Sequence, residues 1–172
     1  MLNARPPLAG VTLIELMVAI AVLAILLAVG LPAYREWIQN TQLRTAAESV
    51  LNGLQLARAE AVKRNSPVTF AVSGNNWSVT DSLGQPIQSR SGGEGSKNAV
   101  IAATPAGTTA VTFTGMGRTT AGANVTFAVT NPVGGDCQTA GGPMRCLNIV
   151  VMVGGQTRLC DPRLPSTDPQ GC

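Results

Sequence analysis

AGVTLIELMV, residues 9–18, places a carboxylate, Glu15, near the start of an apolar run that covers residues 11–31 and whose only other polar side chain is Thr12. As a helix the run spans about 31 Å, close to the hydrocarbon thickness of a bilayer, so it is long enough to cross a membrane once. A secretory signal peptide is one rival reading, with Ala28-Val29-Gly30 as its small-residue cleavage site. Against it, the apolar stretch is too long, it contains an acid, and its helical pattern continues past the cut. A plain membrane anchor satisfies the hydropathy and leaves Glu15 unexplained. An acid at the centre of a bilayer costs roughly 3 kcal/mol, so Glu15 calls for a partner.

Beyond this run, Leu43, Ala47, Val50, Leu54, Ala57 and Ala61 recur at alternating spacings of four and three, which makes one apolar stripe on a helix. The pattern carries the helix to Arg64, for a total of about fifty residues. Pro32 lies inside it; without an N–H, and crowding the carbonyl one turn back, it is expected to kink or loosen the helix rather than end it. Asn65-Ser66-Pro67 supplies the stop. The first half of this helix is apolar all round, and a globular head must pack on the stripe of the second.

The head begins after Arg64. Short β-rich runs, PVTFAV, NWSVTD, AVTFTG, NVTFAVT, CLNIVVMV and QTRLC, alternate with turn chemistry, and each reads as a strand. Gly154-Gly155 between the last two predicts a tight hairpin, because paired glycines accept the positive φ angles that such turns use. SRSGGEGSKN, residues 89–98, reads as a loop, and its Gly95-Ser96-Lys97 lacks the order of a phosphate-binding P-loop. The chain has 172 residues, 45% hydrophobic but only 3% aromatic, so one head with a core of Val, Ala, Leu and Ile is expected. Histidine is absent, which removes the commonest general base and the commonest metal ligand. The net charge of +3, or +2 without Arg5, is far from that of a dedicated nucleic-acid binder.

Cys137, Cys146, Cys160 and Cys172 all lie in the last quarter, which the apolar run places outside the cytoplasm if the N-terminus stays inside. Disulfides are then the natural reading. Zinc is disfavoured, since the spacings of 9, 14 and 12 contain no Cys-x-x-Cys pair. Of the three pairings that four cysteines allow, Cys137 with Cys146 and Cys160 with Cys172 is favoured, because each closes a short polar loop rich in Gly or Pro.

Together these residues resemble the type IV pilin-like proteins, and within them the GspH/FimT group of minor pilins and minor pseudopilins. Gly10 followed by VTLIELMVAIAVLAILLAVGLP is similar to the family's processing site, with the acid five residues after the cut and Pro32 at the kink position. LQLARAEAVKRNSPVTF, FTGMGR and RLCDP carry the likeness to the subgroup. Val11 stands where the family usually has Phe, and the leader holds a single Arg. The resemblance implies an α+β fold of the type IV pilin kind: a long N-terminal helix against an antiparallel β-rich head with a disulfide-bonded tail. It implies a leader over residues 1–10, a transmembrane and filament-core helix over 11–31, an amphipathic continuation over 32–64 and a head over 65–172.

The resemblance also assigns Glu15 a partner. Cleavage after Gly10 by prepilin peptidase frees an amine at Val11, which the same enzyme methylates, and position i+4 on a helix lies one turn away on the same face. In the family the acid is thought to meet the amine of a neighbouring subunit as subunits leave the membrane, so the charge pair marks assembly register. The implied partners are other minor and major pilins or pseudopilins, the peptidase, the inner-membrane assembly platform and the membrane itself. The implied location is the bacterial inner membrane, single-pass with a periplasmic head, and then the tip of a pilus or pseudopilus. No cofactor or metal is implied.

Three function classes remain. A structural subunit ranks first, with a type IV pilus ahead of a type II secretion pseudopilus because the cysteine-bearing tail is more similar to the FimT/FimU side. A DNA-capturing pilin ranks lower: some relatives use Gly-Arg-x-Arg, whereas here Gly155-Gln156-Thr157-Arg158 lacks one arginine, leaving Arg158 and Arg163 as candidates. From residue 100 to residue 172 there are four arginines against three aspartates, too sparse for a phosphate-binding surface. An enzyme ranks last, for want of a nucleophile beside a base or of a carboxylate pair at a telling spacing.

Overall fold

The structure is a computed structural model and describes residues 10–172, so the leader expected over residues 1–10 lies outside the described residues except for Gly10. One helix, α1, occupies Leu13–Arg64. It runs through Pro32 as continuous helix. Its stop is a Schellman turn: Asn65 takes φ 46°, its N–H bonds to the carbonyl of Val62, and that of Ser66 reaches the carbonyl of Ala61, each at 3.2 Å.

The chain divides into two compact units, one ending at Arg35 and one running from Glu36 to Cys172. In the first, every side chain from Val11 to Arg35 is exposed. That helix is long and apolar enough to cross a membrane. In the second, all six stripe residues, Leu43, Ala47, Val50, Leu54, Ala57 and Ala61, are fully buried.

They are buried by two antiparallel four-stranded sheets. One has the order β3 (Pro86–Arg90), β2 (Asn76–Asp81), β1 (Val68–Ser73), β5 (Ala110–Phe113). The other has the order β4 (Val100–Thr104), β6 (Val125–Thr130), β7 (Leu147–Val151), β8 (Thr157–Cys160). The helix stripe and the inward residues of both sheets form a single core. Phe70 joins its parts, with its ring centroid 5.7 Å from Trp77 and 5.7 Å, edge to face, from Phe127 of the other sheet. Gly53 lets the helix approach, since a Cβ there would stand 2.7 Å from the Phe70 ring. Trp77 is buried and its indole N–H donates to Ser49 Oγ of the helix at 2.7 Å, which satisfies both polar groups.

Six strands lie where the sequence places them; β3 and β4 do not follow from it, and Ser89 and Arg90 of the expected loop belong to β3. Both are edge strands that owe their conformation to one neighbour, β2 or β6. The hairpin between β7 and β8 forms, but only Gly155 uses a positive φ, 82°, and Gly154 does not. Helix and loops are clamped by two amides: Gln39 Oε1 accepts from Asn98 and Asn131, and Asn40 bonds the Arg145 N–H and the Pro143 carbonyl.

Candidate functional site

At the N-terminus, the sequence TLIE decides where the helix starts. Thr12 is the N-cap: its hydroxyl accepts the Glu15 N–H at 3.3 Å, and its carbonyl accepts the Leu16 N–H at 3.2 Å. Glu15 is therefore the third helical residue, the acid position of a capping box, where the positive end of the helix dipole favours a carboxylate. The spacing Thr-x-x-Glu was readable from sequence and gives Glu15 a local role that hydropathy alone does not suggest. Val11 precedes the cap and lies outside the helix, which begins at Leu13. Gly10, Val11 and Glu15 are all exposed, and Glu15 belongs to no ion pair among the described residues.

The segments LQLARAEAVKRNSPVTF and FTGMGR meet in space. Arg58 Nε donates to the Gly117 carbonyl at 3.0 Å, and the turn at Gly115 lies against Asn65, the residue that ends α1. Gly155 completes the contact: a Cβ there would collide with the Gly117 carbonyl oxygen. The subgroup's motifs thus form a lock between helix end, β5 turn and β7–β8 hairpin.

The tail is organised by Asp161, whose side chain is 3% exposed. Its carboxylate accepts from Arg145 Nε at 2.8 Å and from the Arg163 N–H at 2.9 Å, and its own N–H donates to the Gln170 carbonyl. Burial pushes the carboxyl pKa up, but the hydrogen bonds from Arg145 and Arg163 and the attraction of both guanidiniums outweigh it, so the net shift is downward. Two disulfides staple this region, Cys137–Cys146 and Cys160–Cys172, with Cα separations of 5.5 and 5.1 Å.

Arg158 and Arg163 are both exposed, Arg158 on β8 opposite Val150 and Arg163 in the tail. Gln156 is exposed in the turn between β7 and β8. Phe70, Trp77, Phe113 and Phe127 are all buried, so none offers a face for stacking bases.

Comparison with known proteins adds the following. The family model described as "Type II transport protein GspH" matches residues 46–155, and the "Prokaryotic N-terminal methylation motif" matches residues 9–31. A curated relative, the type IV major alpha-pilin of Moraxella bovis, is 37% identical over 59 residues, which cover 34% of this chain and 37% of that protein. The match therefore spans little more than a third of that relative. Among solved structures, the type IV minor pilin FimU of Pseudomonas aeruginosa aligns with TM-score 0.55 at 22% identity, covering 76% of this chain and 94% of that one. The minor pseudopilin EpsH of Vibrio cholerae aligns with TM-score 0.51 at 12% identity, over 72% and 99%. GspH of Escherichia coli aligns with TM-score 0.51 at 20% identity, over 78% and 97%. At these identities the structures establish a shared fold.

Proposed function

The chain belongs to the GspH family, and from that premise we propose that it is a minor pilin of a type IV pilus, a structural subunit of the tip or priming complex. The observation that carries this reading is the bare apolar helix with one acid in its first turn, joined to a head that buries only the second half of that helix. Prepilin peptidase cuts between Gly10 and Val11 and methylates the new amine, and the subunit waits in the inner membrane with its head in the periplasm. On the assembly platform, the Val11 amine of one subunit meets Glu15 of another, which removes the cost of a bare carboxylate and sets the register. Pro32 loosens the helix as it enters the filament. The other minor and major pilins are the partners, and the subunit performs no catalysis.

Type II secretion is the second reading, favoured by the description of the matched family and by the likeness to EpsH and GspH. The stapled RLCDP tail supports the pilus side. DNA capture through Arg158 and Arg163 comes third. Deletion of the gene in its host decides between the first two. Loss of surface pili with secretion intact is expected, whereas loss of secretion with pili intact would make the chain a pseudopilin.

A further inference from the structure

We propose that Thr12 is a positioning residue for processing: by capping α1 it keeps the Gly10–Val11 peptide bond outside the helix, where a peptidase can reach it. The proposal rests on the reading of that bond as the cleavage site. Three observations carry it. The cap is formed, with the Thr12 hydroxyl holding the Glu15 N–H. Regular helix begins at Leu13, directly after the cap, so Gly10 and Val11 lie outside it although the apolar pattern continues through Val11. Both residues are exposed, and among the described residues nothing lies within 4 Å of the Cβ position at Gly10.

A peptide bond within a helix is a poor substrate, because its carbonyl and N–H are engaged in the i to i+4 ladder and its flanks are wound up; exposed irregular segments with small residues are where chains are cut. The cap satisfies an orphan N–H of the first turn and so fixes the start of the helix two residues beyond the bond. Without it, the helix can wind back through Val11 towards the glycine, whose own poor helix propensity is the only remaining obstacle. Gly10 and Thr12 thus act as two stops on either side of Val11.

The test uses the full chain in detergent with a prepilin peptidase and follows loss of the leader by gel mobility and mass. Thr12→Val keeps the shape and removes the hydroxyl; it should be cleaved about fivefold more slowly, the factor that corresponds to the roughly 1 kcal/mol of a typical N-cap. Thr12→Ser and Thr12→Asn both cap and should be cleaved at close to the wild-type rate. Carbonyl and Cα chemical shifts in micelles should show helix reaching Val11 in Thr12→Val and not in the other two. Cleavage of Thr12→Val at the wild-type rate overturns the proposal. So does rescue by Ser without rescue by Asn, which would mean that the peptidase reads the hydroxyl directly. Gly10→Ala separates this from the reading beneath it: wild-type cleavage of that variant removes the processing site itself, whereas its block together with an unaffected Thr12→Val removes only the role of Thr12.

Discussion

A carboxylate on an otherwise apolar helix is stabilised either by the first turn of its own helix, where Glu15 lies, or by a cation from another chain, as the proposed function requires. Two substitutions separate these roles. Glu15→Gln keeps a side chain that can complete the capping box but carries no charge; Glu15→Ala loses both. If register depends on the charge pair, both variants are processed at Gly10 and both fall at least tenfold in sheared filaments. Gln incorporated like wild type would assign Glu15 to capping. Asp161 offers a test in the head. Its folded pKa is lowered, so its contribution to stability is fully present above the ordinary carboxylate value of about 3.9 and is lost as pH falls through that value to the folded one. Acid melting should therefore steepen below about pH 4. Asp161→Asn, monitored by thermal melts from neutral to acidic pH, should cost about 1–2 kcal/mol at neutral pH and flatten this acid limb.

The β7–β8 hairpin shows how a single turn position is fixed by what lies against it. Gly155 has φ 82° and meets the Gly117 carbonyl, whereas among the described residues nothing lies within 4 Å of the Cβ position at Gly154. Gly155→Ala should lower stability by about 2 kcal/mol or more, from a strained φ and a displaced turn, while Gly154→Ala should change it by less than about 0.5 kcal/mol. Equal melting temperatures for the two would refute the lock. From sequence the hairpin was legible but the unequal roles of its glycines were not, because Gly117 lies far away in the chain. The six apolar residues of the helical stripe were legible, since burial of one face imposes a 3.6-residue period on local sequence, whereas Ala46, Ser49 and Gly53, which are buried beside them, were not. Edge strands β3 and β4 were not: PIQSR is mostly polar and VIAAT ends in small residues before a proline, so neither alternates strongly, and pairing with β2 and β6 sets their conformation. The N-terminal methylation motif was recognisable, whereas Thr12, Arg58 and Asp161 act through hydrogen bonds that residue spacing only partly encodes.

For the molecule as a whole, the distribution of charge and aromatic side chains bears on whether the head takes DNA. Arg158 and Arg163 are exposed, the four aromatic residues of the strands are buried, and exposed Trp37 lies on the helix rather than on the strands. A head beginning at Glu36 keeps Gln39 and Asn40 with their partners and suits the measurement. Its binding to duplex DNA at physiological salt should be undetectable in gel retardation or no better than about 10 µM. Gln156→Arg should strengthen it at low salt with a log–log slope of about −0.9 per phosphate neutralised. Sub-micromolar binding by the unaltered head, lost in Arg158→Ala with Arg163→Ala, would make DNA capture the primary role. The contact between Trp77 and Ser49 has an optical consequence. The chain has two tryptophans; Trp77 is 5% exposed and joins sheet to helix, whereas Trp37 is 63% exposed. Iodide should quench the fluorescence of Trp37 and spare the shorter-wavelength emission of Trp77, and Ser49→Ala should alter only the latter. Intrinsic emission thereby becomes a label-free gauge of whether the sheets remain closed on the helix, readable in detergent, in vesicles or in an intact fibre.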